Sequence, residues 1–134
     1  MHWATEYVGR RWSATGNGPD CFHCWSFVRW VQRVNFGRTV SEIPTPETLL
    51  DIVRLFRGHP ELQRWRAVDT ACEGDCVLMR QARYPVHVGV WVDVDGGGVL
   101  HCVQGHGVIF QSLSDLQQSG WNIHAYYRFQ GSGS

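Results

Sequence analysis

The segment DCFHCW, residues 20–25, sets Cys21, His23 and Cys24 within four positions. Two cysteines at this spacing can clip a zinc ion, form a reversible disulfide, or frame one nucleophilic thiolate. A thiolate attacks carbonyls where a thiol does not, and the unpaired N–H groups and dipole of a helix N-terminus stabilise that anion. Cys24 is set for such a place: CWSFVRWVQRVNFG puts Phe27, Val28, Val31 and Val34 at helical spacing and ends on Gly37. Asp20 or Cys21 stands near the expected N-cap, which puts Cys24 in or near the first turn. Without a base, a cysteine there is simply a small buried hydrophobe. The candidate base is His87 in VHVGVWVDV (86–94), where Val88, Val90, Val92 and Val94 share one strand face and His87, Gly89 and Trp91 the other. Gly89 leaves room beside His87, and His101 lies in VLHCV (99–103), the neighbouring strand of the expected hairpin. Nucleophile, base and a third group that holds the imidazole in its useful tautomer are what a cysteine hydrolase requires.

Two other uses of the cysteines compete. Cys21, Cys24, Cys72 and Cys76 form a C-x2-C followed by a C-x3-C, a tolerable tetrahedral zinc set. Against it, Cys76 begins an expected strand and no glycine-rich knuckle frames the second pair. CFHC also resembles the redox tetrapeptide of thioredoxin-like oxidases, but residues 1–20 supply no apolar lead-in strand. A reversible Cys21–Cys24 disulfide masking the nucleophile is the more modest redox reading. Five cysteines would leave one over from a full disulfide framework, so reduced thiols are expected, with no cofactor and no metal.

The elements that must carry these residues follow from periodicity. SATGNGPD (13–20) is loop chemistry. TPETLLDIVRLFRG reads as a second helix, capped by Thr45, with Pro46 in the first turn, Leu49, Ile52, Val53 and Phe56 inward and Gly58 at the end. Short strands come next: CVLMR (76–80) after the turn EGD, then 86–94, 99–103 and VIFQ (108–111). A short helix near SLSDLQQ precedes a last strand, IHAYYRF (123–129). Helices first and antiparallel strands after define an α+β class.

At 134 residues the chain is the size of one domain, expected over 1–130, with GSGS (131–134) a flexible tail or a leftover of cloning. Net charge is zero and the pI is near 7, which argues against a nucleic-acid partner. No apolar run is long enough to span a bilayer, and MHWATEYVGRRW shows no apolar signal-peptide core, so no membrane insertion is expected. Of the seven tryptophans, Trp25 beside Cys24 and Trp91 on the His87 face are the groove candidates. Asp75 in EGD, His106 in QGHG, and His2, His59 and His124 read as structural, turn or surface residues.

YVGRRW…GPDCFHCWSFVRWV, then GDCVLMR…YPVHVGVWV and GGGVLHCVQGHGV…YYRF, resembles the NlpC-type cysteine peptidases of cell-wall hydrolysis. It is most similar to the compact versions of phage and prophage tail-assembly clusters, over about Tyr7 to Phe129. The resemblance implies a papain-like α+β fold, Cys24 as nucleophile, His87 as base and His101 as the polar third member. Tyr7 falls where some relatives carry a tyrosine beside the oxyanion site. Three positions depart from the pattern: His23 replaces the usual Asp before the nucleophile, Ser26 the usual Gly after it, and Cys21 a common Gly. The implied activity is cleavage of peptidoglycan stem peptides, at the bond between γ-linked D-glutamate and diaminopimelate. Synthesis in a bacterial cytoplasm, action at the cell wall or periplasm, and tail-tip proteins as partners follow from the same likeness. A secreted antibacterial amidase toxin of this fold, and a non-catalytic tail protein whose four cysteines above bind zinc, are the alternatives.

Overall fold

Helix α1 (Cys24–Phe36) begins where a side chain can replace the missing helical acceptor. The backbone of His23 is extended and its Nδ1 accepts the Ser26 N–H, while Ser26 Oγ accepts the His23 N–H, a reciprocal capping box. The N-cap is therefore His23 rather than Asp20 or Cys21, because an imidazole nitrogen does the work expected of a carboxylate. Ser26, itself buried, also donates to the Gly16 carbonyl at 2.6 Å and so ties the loop before the helix to its first turn. Gly37, left-handed at φ 67°, ends the helix. Trp25, Phe27, Val28 and Val31 are buried as the spacing requires, but Val34 is 55% exposed. The apolar stripe thus turns away from the core before the last turn.

The computed structural model describes residues 2–40, 65–81 and 84–130. The expected second helix after Thr45 lies outside them. Ahead of α1, β1 (Arg11–Trp12) and β2 (Cys21–Phe22) form a small parallel ladder on either side of the loop expected over 13–20. Two residues per strand are too few for periodicity to register. The main sheet holds β3 (Trp65–Val68), β4 (Cys76–Gln81), β5 (Tyr84–Val92), β6 (Gly98–Val103), β7 (Gly107–Gln111) and β8 (Asn122–Phe129). All pairings are antiparallel, in the order β3-β8-β4-β5-β6-β7. Strands β4 to β7 follow one another as hairpins; helix α2 (Leu113–Gln118), capped by Ser112, then returns the chain so that β8 enters between β3 and β4. This is the α+β architecture expected from the order of elements.

Alternation divides the sheet into two faces. Leu78, Val88, Val90, Val92, Leu100 and Cys102 pack with Phe27, Val28 and Val31 of α1. Val77, Met79, Trp91 and Val99 face the other way, against Leu116 of α2. Before β4, buried Asp75 accepts from Arg128 at 3.1 and 2.9 Å and from the Cys72 amide at 2.8 Å, which fixes the turn that launches the strand.

The pairing of β5 with β6 stops early. It runs from Val92↔Gly98 to Val90↔Leu100, while β5 continues along β4 (Met79↔His87) and β6 continues along β7 (His101↔Ile109). Beyond Val90 the β5–β6 ladder ends, although the two strands stay close. Gly89 is the close approach: a Cβ there would lie 2.6 Å from Val99 Cγ1 and 2.9 Å from His101 Cβ.

Candidate active site

Cys24 is the first residue of α1 and is half-buried. The amide N–H groups of Val88, Trp25 and Cys24 itself are directed at its sulfur. Val88 follows His87, so the thiol meets strand β5 at the residue next to His87. The Cys24 and Trp25 amides are among the donors that a helix start leaves without intrahelical partners. Loss of water nevertheless outweighs these three donors, and the Cys24 thiol is pushed above its ordinary value.

The buried His87 ring puts Nε2 2.8 Å from Nδ1 of His101. His101 is wholly buried, and its Nε2 lies 2.8 Å from Oε1 of Gln111. Gln111 in turn donates through Nε2 to Ser119 Oγ at 2.9 Å. The indole of Trp121 stacks on His87, with centroids 4.7 Å apart and planes at 24°. Burial, then the neighbouring His101, drives His87 well below the usual histidine range; burial lowers His101 to about 4 although its bond to Gln111 opposes this. Both rings are neutral at neutral pH. The bond to His101 engages Nε2 of His87 and leaves Nδ1 as the nitrogen able to take a proton from a thiol.

The structure therefore brings His87 and His101 into direct contact and sets Cys24 against the next amide along β5. The other candidates lie elsewhere. Tyr7 is buried and donates to Asn35 Oδ1 at 2.7 Å, roughly three helical turns along α1 from Cys24. Trp25 is buried between α1 and the sheet. Trp91 shares the His87 face, but its ring packs against Tyr126 and its N–H is donated to Asp93 at 2.8 Å. Among the described residues no three His, Cys, Asp or Glu side chains gather to hold a metal ion, so Cys21, Cys24, Cys72 and Cys76 do not form one donor set. None of the five cysteines is paired in a disulfide. Cys76 and Cys102 are buried with their thiols pushed up to about 12, by burial first, which makes them poor nucleophiles.

Gln111 and Trp121 escape the sequence reading. A signal existed for Gln111: it ends an apolar strand on the same face as Ile109, opposite the strand that carries His101. Trp121 has no periodic signal, because it follows α2 in a turn whose packing is tertiary.

A family profile described as the NlpC/P60 family matches residues 9–129. No curated protein sequence matches the chain. Solved structures similar to it include NlpC1 from Trichomonas vaginalis, at 17% identity and TM-score 0.62, covering 94% of this chain and 41% of that one. The NlpC/p60 domain of the peptidoglycan hydrolase SagA is 22% identical with TM-score 0.56, covering 92% of this chain and 90% of that one. A lipoprotein-like protein of the NLP/P60 family from Staphylococcus aureus is 17% identical with TM-score 0.60, covering 96% of this chain and 39% of that one. The chain thus spans less than half the length of the Trichomonas and Staphylococcus chains it matches.

Proposed function

The chain belongs to the NlpC/P60 family, and on that premise we propose that it is a cysteine peptidase that hydrolyses the stem peptides of bacterial peptidoglycan. The observation that carries this reading is the His87–His101 bond of 2.8 Å on the strand whose next amide is directed at the Cys24 sulfur. That arrangement supports a general-base mechanism from a neutral pair. Nδ1 of His87 takes the Cys24 proton as the sulfur attacks the amide carbonyl carbon and the C–S bond forms. The carbonyl oxygen becomes an oxyanion, which the Cys24 amide and a neighbouring donor stabilise. The C–N bond then breaks, His87 gives its proton to the leaving amine, and a thioester remains. Water, deprotonated by His87, attacks that thioester, and the sulfur leaves to recover a proton. His101 holds the imidazole throughout, and the stacked Trp121 indole limits its rotation.

The bond we propose is that between γ-linked D-glutamate and diaminopimelate, and the setting a phage or prophage tail with tail-tip proteins as neighbours. The motif resemblance to tail-assembly peptidases supports both. Digestion of diaminopimelate-type peptidoglycan under reducing conditions, with products identified by mass spectrometry, tests the reading. Wild type should release stem fragments cut after D-glutamate, and Cys24→Ala should release none. Intact stems with the wild type would overturn the peptidase assignment, and cleavage at another bond would overturn the specificity alone.

A further inference from the structure

Resting on the reading of His87 as the base, we propose that Gln111 is a positioning residue that decides, through His101, which nitrogen of His87 carries the proton. Two imidazoles in series have no built-in direction. Each neutral ring owns one N–H and one lone pair, so a His–His pair can run either way, whereas a carboxylate in third place could only accept. His101 is wholly buried, so solvent does not set its tautomer. The group at its far side does. Gln111 presents its carbonyl oxygen to His101 Nε2 at 2.8 Å and its amide nitrogen to Ser119 Oγ at 2.9 Å. A carbonyl only accepts, so the proton of His101 sits on Nε2 and Nδ1 is a lone pair. That lone pair faces Nε2 of His87 at 2.8 Å, so Nε2 of His87 carries the proton and Nδ1 is bare. The reversed amide would drive every bond the other way and leave an N–H at Nδ1 of His87, unable to accept from Cys24. Ser119, at the C-cap of α2, accepts from the amide nitrogen and anchors the Gln111 side chain to the helix that follows β7.

The test reads the tautomers directly. Protein labelled with 15N-histidine is studied at neutral pH by long-range 1H–15N correlation, which distinguishes Nδ1–H from Nε2–H, for wild type, Gln111→Met and Gln111→Glu. Turnover of a soluble stem peptide is measured in parallel. Wild type should show Nε2–H at both His87 and His101. Gln111→Met, which keeps length but loses the acceptor, should populate Nδ1–H at His87 and lower kcat roughly ten- to hundred-fold, with KM changed less than about twofold. Gln111→Glu, an acceptor only, should restore the Nε2–H signature and most of kcat. Nδ1–H at His87 in the wild type, or an unchanged signature and kcat in Gln111→Met, would overturn the proposal. Should Gln111→Met not fold, the wild-type and Gln111→Glu spectra decide: Nε2–H at both rings in each sustains the proposal, and Nδ1–H at His87 in either ends it. Tautomers that respond as stated in a protein that cuts no stem peptide would leave Gln111 in its role and remove the peptidase reading instead.

Discussion

The Cys24 sulfur receives two amide N–H groups from the helix start and one from β5, and its thiol is still pushed up, because burial costs the anion more than those donors return. His87, held neutral by burial and by His101, has no charge with which to form a resting ion pair. Cys24 should therefore be alkylated by iodoacetamide more slowly than a free cysteine at neutral pH, with a rate that climbs through the alkaline range. A fast, pH-independent rate in mild acid would show a thiolate–imidazolium pair and contradict this. His23→Asp should slow alkylation further, since a carboxylate one residue from the sulfur disfavours the thiolate. At this scale the sequence was informative where spacing and strand face suffice. Cys24, His87 and His101 are named by their motifs, and two of them meet at 2.8 Å. Gln111 and Trp121 act through contacts between elements, and no local pattern marks those.

Helix α1 and the β5–β6 pair are the elements that present the candidate site, and each rests on one small residue. Ser26, where the family pattern has Gly, closes the capping box and anchors the Gly16 carbonyl. Ser26→Ala should destabilise the fold by about 1–2 kcal/mol in urea denaturation, from the lost cap and a buried carbonyl left without its donor. An unchanged midpoint and slope would show that the cap matters little. Gly89 is needed for its missing side chain: the Cβ of Gly89→Ala would press on Val99, His101 and the Leu100 carbonyl. That variant should lose about 1–3 kcal/mol and shift His101 away from His87, so turnover falls more than stability alone explains. Wild-type stability and kcat in Gly89→Ala would refute the close-approach argument. The existence of β5 was readable from alternating valines, though it runs Tyr84–Val92 rather than 86–94, and the two-residue ladder of β1 and β2 was not. The N-cap moved to His23 because capping depends on which lone pair reaches the Ser26 amide, a matter of rotamer rather than of residue type.

Across the whole molecule, the sheet separates a face covered by α1 from a face covered by α2, and the histidines are buried on the second. This burial couples the site to stability. The unfolded chain protonates His101 near 6.5, the folded one only at about 4, so between these values the unfolded state binds more protons and acid favours it. The contribution is fully present above about pH 6.5, is lost as pH falls to about 4, and amounts to roughly 3 kcal/mol at most. His87 acts in the same direction. Urea denaturation at neutral pH and near pH 4 should show this loss, and His101→Asn should show a smaller one. Equal acid sensitivity in the variant would mean that the buried histidines carry none of it.

The sequence by itself determined the class of fold, through helical spacing followed by alternating strands, and named the candidate site residues, through their motifs. Both are local properties, encoded within a few residues of one another. The tertiary structure decided what depends on elements far apart in the chain: where the β5–β6 ladder ends, that the Val88 amide meets Cys24, and that Gln111 and Trp121 contact the imidazoles. It also decided protonation, since a pKa is set by loss of water and by neighbours, and both exist only once the sheet and α1 have closed on each other.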